Sequence, residues 1–336
     1  MRVERSLDRY PLGDVAATAA EAEQEGYDGA WILEGAHDPF IPLFFAAEAT
    51  QRLGLATAIA VAFARNPLTT ASIAHDLQRL SGGRFTLGLG PQIETHIRYR
   101  YGMPAGRPAA RMREFVQAVR AIWDCWDQGT KLDFRGDFYT HTLMPPNFRH
   151  EPGSHPQPAI VIAGVGPRMT QVAGEVGDGY VAHSFTTESY VREVTLPTLA
   201  LGRERAGLTL DGFEVRGLVT VATGSTEEQL VRSVREAREL VAFYGSTPAY
   251  ARVLEHHGWG DLHAELLALS RADRWAEMPA LVDDDVLHAF AVVGEPGDIG
   301  PQVLARYGGI MDTVGFYTPS VYVPEVWAEV VRGFRA

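Results

Sequence analysis

The sequence predicts an α/β fold, a (β/α)8 barrel with insertions, for this chain of 336 residues. Three observations carry the prediction. Short apolar runs alternate with helix-patterned stretches along the chain. The apolar runs are apolar throughout, as strands covered on both faces should be. No Gly/Ser-rich or Pro-rich linker divides the chain, whose length suits one barrel.

The elements follow in order. "MRVERSL" opens with a strand near residues 2–7. "LGDVAATAAEAEQEG" is Ala-rich and helical, and Gly26 stands where a left-handed residue ends a helix. "YDGAWIL" is a strand near 28–33. "PLFFAAEATQRLG" is a helix closed by Gly54, followed by a strand near 55–61. "LTTASIAHDLQRLSGG" and "RFTLGLG" repeat the unit, with the strand at 85–89.

From Arg111, apolar residues fall at Met112, Phe115, Val116, Val119, Ile122, Trp123 and Trp126, one stripe at helical period. These tryptophans read as core packed on the sheet. Strands near 159–163 and 179–183 come next, then a helix from Thr187 to Ala206 and a strand near 213–222. A helix covers Ser225 to Gly245. A last strand near 312–317 and the helix "PEVWAEVVRGF" close the chain. Eight strands in βα units make a single TIM-type domain over 1–336, with insertions near 91–106, 129–157 and 246–288. The second insertion reads as a hairpin and loop. Long ordered loops in a compact domain are usually functional, so this segment and 246–288 are expected to cover a substrate.

A net charge of -12 argues against nucleic acid and anionic membranes as partners. An anionic ligand would need a local pocket of donors. The single Cys125 excludes an internal disulfide and a cysteine zinc cluster. The N-terminus has no apolar signal core, and no apolar run approaches the ~18 residues of a membrane helix. The expected location is the cytoplasm.

In such a barrel the chemistry sits at the C-terminal ends of the strands. Two stretches there rhyme: "TLGLGPQ" (Thr86 to Gln92) and "IAGVGPR" (Ile162 to Arg168). Neither carries the third glycine of a dinucleotide fingerprint. In the second, Pro167 suits the first position of a helix, and Gly164 and Gly166 allow close approach of a ligand. The helix behind offers free N–H groups, and Arg168 adds a positive charge. These residues can form a phosphate cradle or a plain strand-to-helix turn. After Pro91 no helix starts promptly, so "GLGPQ" suits a flat ring or substrate better than a phosphate.

His37 follows the second strand and can serve as a general acid or base, or as a structural part of the His-Asp-Pro turn. Glu34 is the alternative proton carrier. His256 and His257 are adjacent and face different ways on a helix, and His150 and His155 sit in a loop. No H-E-x-x-H motif or G-x-S-x-G elbow is present. No metal centre is expected.

Taken together, "YDGAWILEGAHDP", "RNPLTTASIAHDLQRLSGGRFTLGLG", "RMREFVQAVRAIW", "FRGDFY", "PAIVIAGVGPRMTQVAGEVGDGY" and "YGGIMDTVGFY" resemble the bacterial luciferase-like family, over nearly the whole chain. The nearest subgroup by these motifs is the coenzyme F420-dependent (deazaflavin) oxidoreductases. The resemblance implies a TIM barrel, commonly dimeric, with a flavin or deazaflavin at the C-terminal face. It places a bulge with a non-prolyl cis peptide at Ala58–Ile59, behind the ring. It places ring-edge contacts at Gly90, Pro91 and Gln92. Phosphate contacts fall at Gly164, Val165, Gly166 and Arg168, and His183 flanks that site. His37 takes the position of the family's acidic-His pair, but here Glu34 and His37 are separated by Gly35-Ala36.

The expected activity is hydride transfer between reduced coenzyme F420 and an organic small-molecule substrate, by a homodimer. His37 or Glu34 would handle the accompanying proton. Two alternatives stand beside it: an FMN-dependent monooxygenase on the same scaffold, and a non-catalytic cofactor-binding barrel.

Overall fold

Eight parallel strands close into a ring, because each is followed by a helix that carries the chain back to the starting edge. In the computed structural model, residues 1–318 and 323–335 are described. The strands are β1 (Arg2–Ser6), β2 (Gly29–Ile32), β3 (Gly54–Thr57), β4 (Ala60–Val61), β5 (Phe85–Gly90), β6 (Phe134–Arg135), β7 (Thr140–His141), β8 (Ala159–Ala163), β9 (Gly179–Ala182), β10 (Glu214–Thr223), β11 (Ala291–Gly294) and β12 (Thr313–Tyr317). The ring runs β1-β2-β3-β5-β8-β9-β10-β12 and back to β1. These are the eight strands expected from the sequence. A ninth, β11, pairs Ala291–Gly294 with Thr220–Thr223, starting at Thr220, where the pairing of β10 with β12 ends. It is too short, and too close to the preceding helix, to stand out by pattern.

The helices are α1 (Val15–Glu25), α2 (Phe40–Ala49), α3 (Pro67–Leu80), α4 (Pro108–Gln128), α5 (Pro167–Val176), α6 (Glu188–Tyr190), α7 (Leu196–Arg205), α8 (Glu227–Gly245), α9 (Ala251–His256), α10 (Gly260–Arg271), α11 (Asp284–Phe290), α12 (Pro296–Tyr307) and α13 (Pro324–Gly333). Gly26 ends α1 at φ +90°, as expected. The α4 stripe is buried from Met112 to Trp126. Helix α2 stops at Ala49, five residues short of Gly54, which instead opens β3. The cause is local: the Glu23 carboxylate accepts N–H bonds from Gln51, Arg52 and Leu53 at 3.0, 2.7 and 2.8 Å. Backbone satisfied in this way has no need to continue as helix.

The inside of the barrel is less apolar than the strand pattern implied. Glu4 and Arg216, both buried, pair across it at 3.0 and 3.2 Å, and Glu214 Oε1 lies 2.9 Å from Arg216. Buried charges survive only when paired in this way.

The insertions sit where the loops change. Residues 129–157 carry the antiparallel β6–β7 hairpin, as expected. Glu114 on α4 accepts N–H bonds from Asp137, Phe138 and Tyr139, and Arg111 donates to the Tyr139 hydroxyl. The hairpin is therefore held along the flank of α4. Residues 246–288, with α8 and Phe185, form a second apolar cluster around Leu254, Leu266 and Phe290. Among the described residues, no helix is long and apolar enough to cross a membrane.

Candidate functional site

The interruption between β3 and β4 shapes the mouth of the barrel. Leu55 pairs with Phe85, but Ala60 pairs with Leu89, so β3–β4 carries one residue more than β5 over this stretch. That is a bulge. The Ala58–Ile59 peptide within it is cis, at the position the resemblance indicated. The Thr57 hydroxyl bridges the gap, donating to the Gly88 carbonyl at 2.7 Å and accepting from the Gly88 N–H at 2.8 Å. Ala58 and Ile59 stay partly exposed while their neighbours Thr57 and Ala60 are buried.

Two glycines expected to face a ligand also make room for neighbouring side chains. A Cβ on Gly90 would lie 2.7 Å from the Ile59 side chain, so Gly90 makes room for the bulge. A Cβ on Gly164 would lie 2.1 Å from Met169. Pro91 and Gln92 remain partly exposed, and Gln92 takes φ +58°.

Glu34 supports the bulge from the loop after β2. Its carboxylate accepts from Val61 N–H at 2.6 Å, from the Tyr101 hydroxyl at 3.0 Å and from Arg65 at 2.5 Å. Its own N–H donates to the Ile59 carbonyl at 3.1 Å. Arg65 also pairs with Asp38 at 2.7 Å. Glu34 is thus engaged on every side, which suits a positioning residue better than a free proton carrier. His37 is exposed, three residues on, and lines a cavity of about 190 Å3 with Leu7, Leu12, Ile32 and Pro42. The fold does not join His37 to Glu34.

After β8, two places round the ring from the bulge, Gly166 caps α5 at φ +85° and ψ 151°, with open space where a Cβ would stand. Pro167 takes the first helical position, and no side chain caps the helix. The first-turn N–H groups of Arg168 and Met169 have no intrahelical partners. Arg168 and Val165 are exposed beside them.

His183, just after β9, meets an aromatic group that sequence reading missed. Its Nδ1 accepts from the Phe185 N–H at 3.0 Å, and its Nε2 lies 3.1 Å from the Tyr250 hydroxyl. Tyr250 stacks on it at 4.6 Å, and Tyr244 meets it edge-on at 4.8 Å. The Tyr244 and Tyr317 hydroxyls are 3.2 Å apart. Burial lowers the His183 pKa to about 4, and a proton on Nδ1 would oppose the Phe185 N–H. Burial pushes Tyr250 up to about 12 and raises Tyr244. Near neutral pH these three groups are uncharged. Tyr250 lies 67 residues from His183, and Tyr244 on α8 is nearly as far, so no local motif signals them.

With this geometry in place, comparison with known proteins is decisive for the family. The model of the luciferase-like monooxygenase family matches residues 2–313. The chain belongs to that family. Among luciferase-like relatives, an uncharacterized protein of Mycobacterium tuberculosis is 50% identical over 303 residues, covering 90% of this chain and 89% of that one. The 5,10-methylenetetrahydromethanopterin reductase of Archaeoglobus fulgidus is 29% identical over 287 residues, covering 83% and 81%. The structure of the coenzyme F420-dependent tetrahydromethanopterin reductase from Methanopyrus kandleri superposes with a TM-score of 0.78 at 20% identity, covering 98% and 96%. That likeness concerns the fold: the luciferase-like chain is a TIM barrel.

Proposed function

We propose that this chain is an oxidoreductase using the deazaflavin coenzyme F420 on a small organic substrate. The observation that carries the reading is the bulge at Ala58–Ile59 together with the open Gly166–Arg168 helix start, which follows the strand two places further round the ring. A flat ring needs a wall without projecting polar groups, and Ala58 with Ile59 supplies one. A phosphate needs amides and a cation, and the α5 start with Arg168 supplies both. Sequence relatives named as a 5,10-methylenetetrahydromethanopterin reductase and as a coenzyme F420-dependent oxidoreductase support the deazaflavin reading.

In this reading Ala58 and Ile59 back the ring, and Pro91 and Gln92 border its edge. Gly90 and Gly164 act indirectly, by seating Ile59 and Met169. Gly166, Val165 and Arg168 hold the phosphate. His183 flanks the mouth as a neutral imidazole. When bound, the coenzyme supplies the hydride chemistry; the protein orients it and handles the proton. His37, exposed at the rim, exchanges that proton with the substrate. Glu34 and Arg65 keep the bulge in place.

The test is titration of the full chain with F420 and, separately, FMN, read by tryptophan fluorescence. Trp31, buried in β2 beside Gly315, is close to the barrel mouth. Quenching by F420 supports the proposal. Quenching by FMN alone would favour a flavin monooxygenase, as the family description allows. Binding of neither would leave a barrel without this cofactor.

A further inference from the structure

We propose that His75, Asp76 and His150 form a binding site for a divalent transition-metal ion, which pins the 149–157 loop to α3. The site lies on the flank of the barrel and takes no part in the reading above. His75 and Asp76 are consecutive on α3, and His150 comes from the loop before β8. Sequence reading set His150 aside as a loop residue; folding brings it onto α3.

The ligand atoms of the three side chains lie within 4.8 Å of one another. Asp76 Oδ1 is 3.9 Å from His75 Nδ1 and 3.7 Å from His150 Nδ1. Tetrahedral ligands at ~2.0–2.1 Å from zinc stand roughly 3.3–3.4 Å apart, so small side-chain rotations close the set. The second observation is His75 itself. It is only 7% exposed, and neither ring nitrogen has a hydrogen-bond partner. A neutral imidazole carries one donor and one acceptor, and both are costly to bury unmet. A metal on Nδ1 would use one of the two, the lone pair, and leave the proton on Nε2.

The surroundings favour a fixed site. Trp126 packs against both rings, at 5.6 Å from His75 and 4.5 Å from His150, and the two imidazoles are 4.7 Å apart. Asp76 is exposed, so one side stays open for water as a fourth ligand. Two imidazoles and one carboxylate suit Zn2+, Co2+, Ni2+ or Cu2+ better than Mg2+ or Ca2+. The competing arrangement is a plain cluster of three tilted rings with His75 unsatisfied.

The experiment uses tag-free full-length protein, titrated with Co2+ by visible absorption and with Zn2+ by calorimetry. The expected result is one tight equivalent with tetrahedral Co2+ bands, and a rise in melting temperature on adding Zn2+. His150→Gln, at a partly exposed position, and Asp76→Asn, at an exposed one, should each weaken binding about 10–100-fold. Both variants should melt like the metal-free wild type. Absence of binding would overturn the proposal. So would unchanged affinity in both variants, including the case in which His256→Gln abolishes binding instead.

Discussion

Arg65 Nη1 lies 2.5 Å from Glu34 Oε2, and the Glu34 side chain is only 7% exposed. The same guanidinium reaches Asp38 at 2.7 Å. Arg65 therefore ties the loop after β2 to the segment after β4, on either side of the bulge.

Replacing Arg65 by Met should leave the Glu34 carboxylate without its cation. The expected loss is about 3 kcal/mol of stability, at the lower end for breaking a buried pair. The double variant with Glu34→Gln should recover part of it, because the one carboxylate still left without Arg65, that of Asp38, is well exposed to water. Urea unfolding at neutral pH measures both. Stability of Arg65→Met within 1 kcal/mol of wild type would show the pair to be an ordinary surface contact.

Gly166 and Arg168 should matter for the cofactor in different ways. Gly166→Ala forces a side chain into a glycine-only conformation, costing about 1–3 kcal/mol in stability and misaligning the α5 amides. Arg168 is exposed, so Arg168→Ala should leave stability unchanged. It should weaken F420 binding by about 1.5–3 kcal/mol, the scale of a charge-assisted hydrogen bond. Equal F420 affinity in wild type and Arg168→Ala would remove the phosphate from this position.

His37 and Glu34 should separate by kinetics. His37→Asn should lower kcat by roughly 10²–10⁴-fold with little change in cofactor affinity. Glu34→Gln should act mainly on cofactor affinity and stability, because its carboxylate holds Val61, Arg65 and Tyr101. The reverse outcome would make Glu34 the proton carrier.

His183 should make stability depend on acid. Its folded pKa of about 4 lies below the ordinary 6.5. As the pH falls from about 6.5 to 4, the unfolded chain takes up the proton first, so stability is lost across that window, by up to about 3 kcal/mol. Above pH 6.5 the group contributes no pH dependence. Urea unfolding at pH 7 and pH 4.5 should show a smaller difference for His183→Gln than for wild type. An identical difference would mean that His183 titrates normally in the folded protein.

Much of the ring was legible in the residues. Most strand positions matched because a strand covered on both faces is largely apolar, and that needs no knowledge of its neighbours; β1, with Glu4 and Arg5 buried, is an exception. The α4 stripe was legible because its period is set by the helix alone. The family motif even marked the bulge at Ala58–Ile59. The short β11 strand was not visible, since four residues carry little periodic signal. Nor was the end of α2, which depends on a carboxylate from α1.

The order of strands and helices, the amphipathic faces and the glycine-proline turns all follow from local conformational preference and hydrophobic period, and the chain states them directly. Which side chains meet does not follow from them. Gly90 accommodates Ile59, Glu34 engages Arg65, Tyr250 covers His183, and His150 reaches His75 only after closure of the barrel brings distant loops to one rim or flank. Those pairings depend on strand register, a one-residue bulge and the course of two insertions. These are long-range choices made by packing and by the need to satisfy buried polar groups.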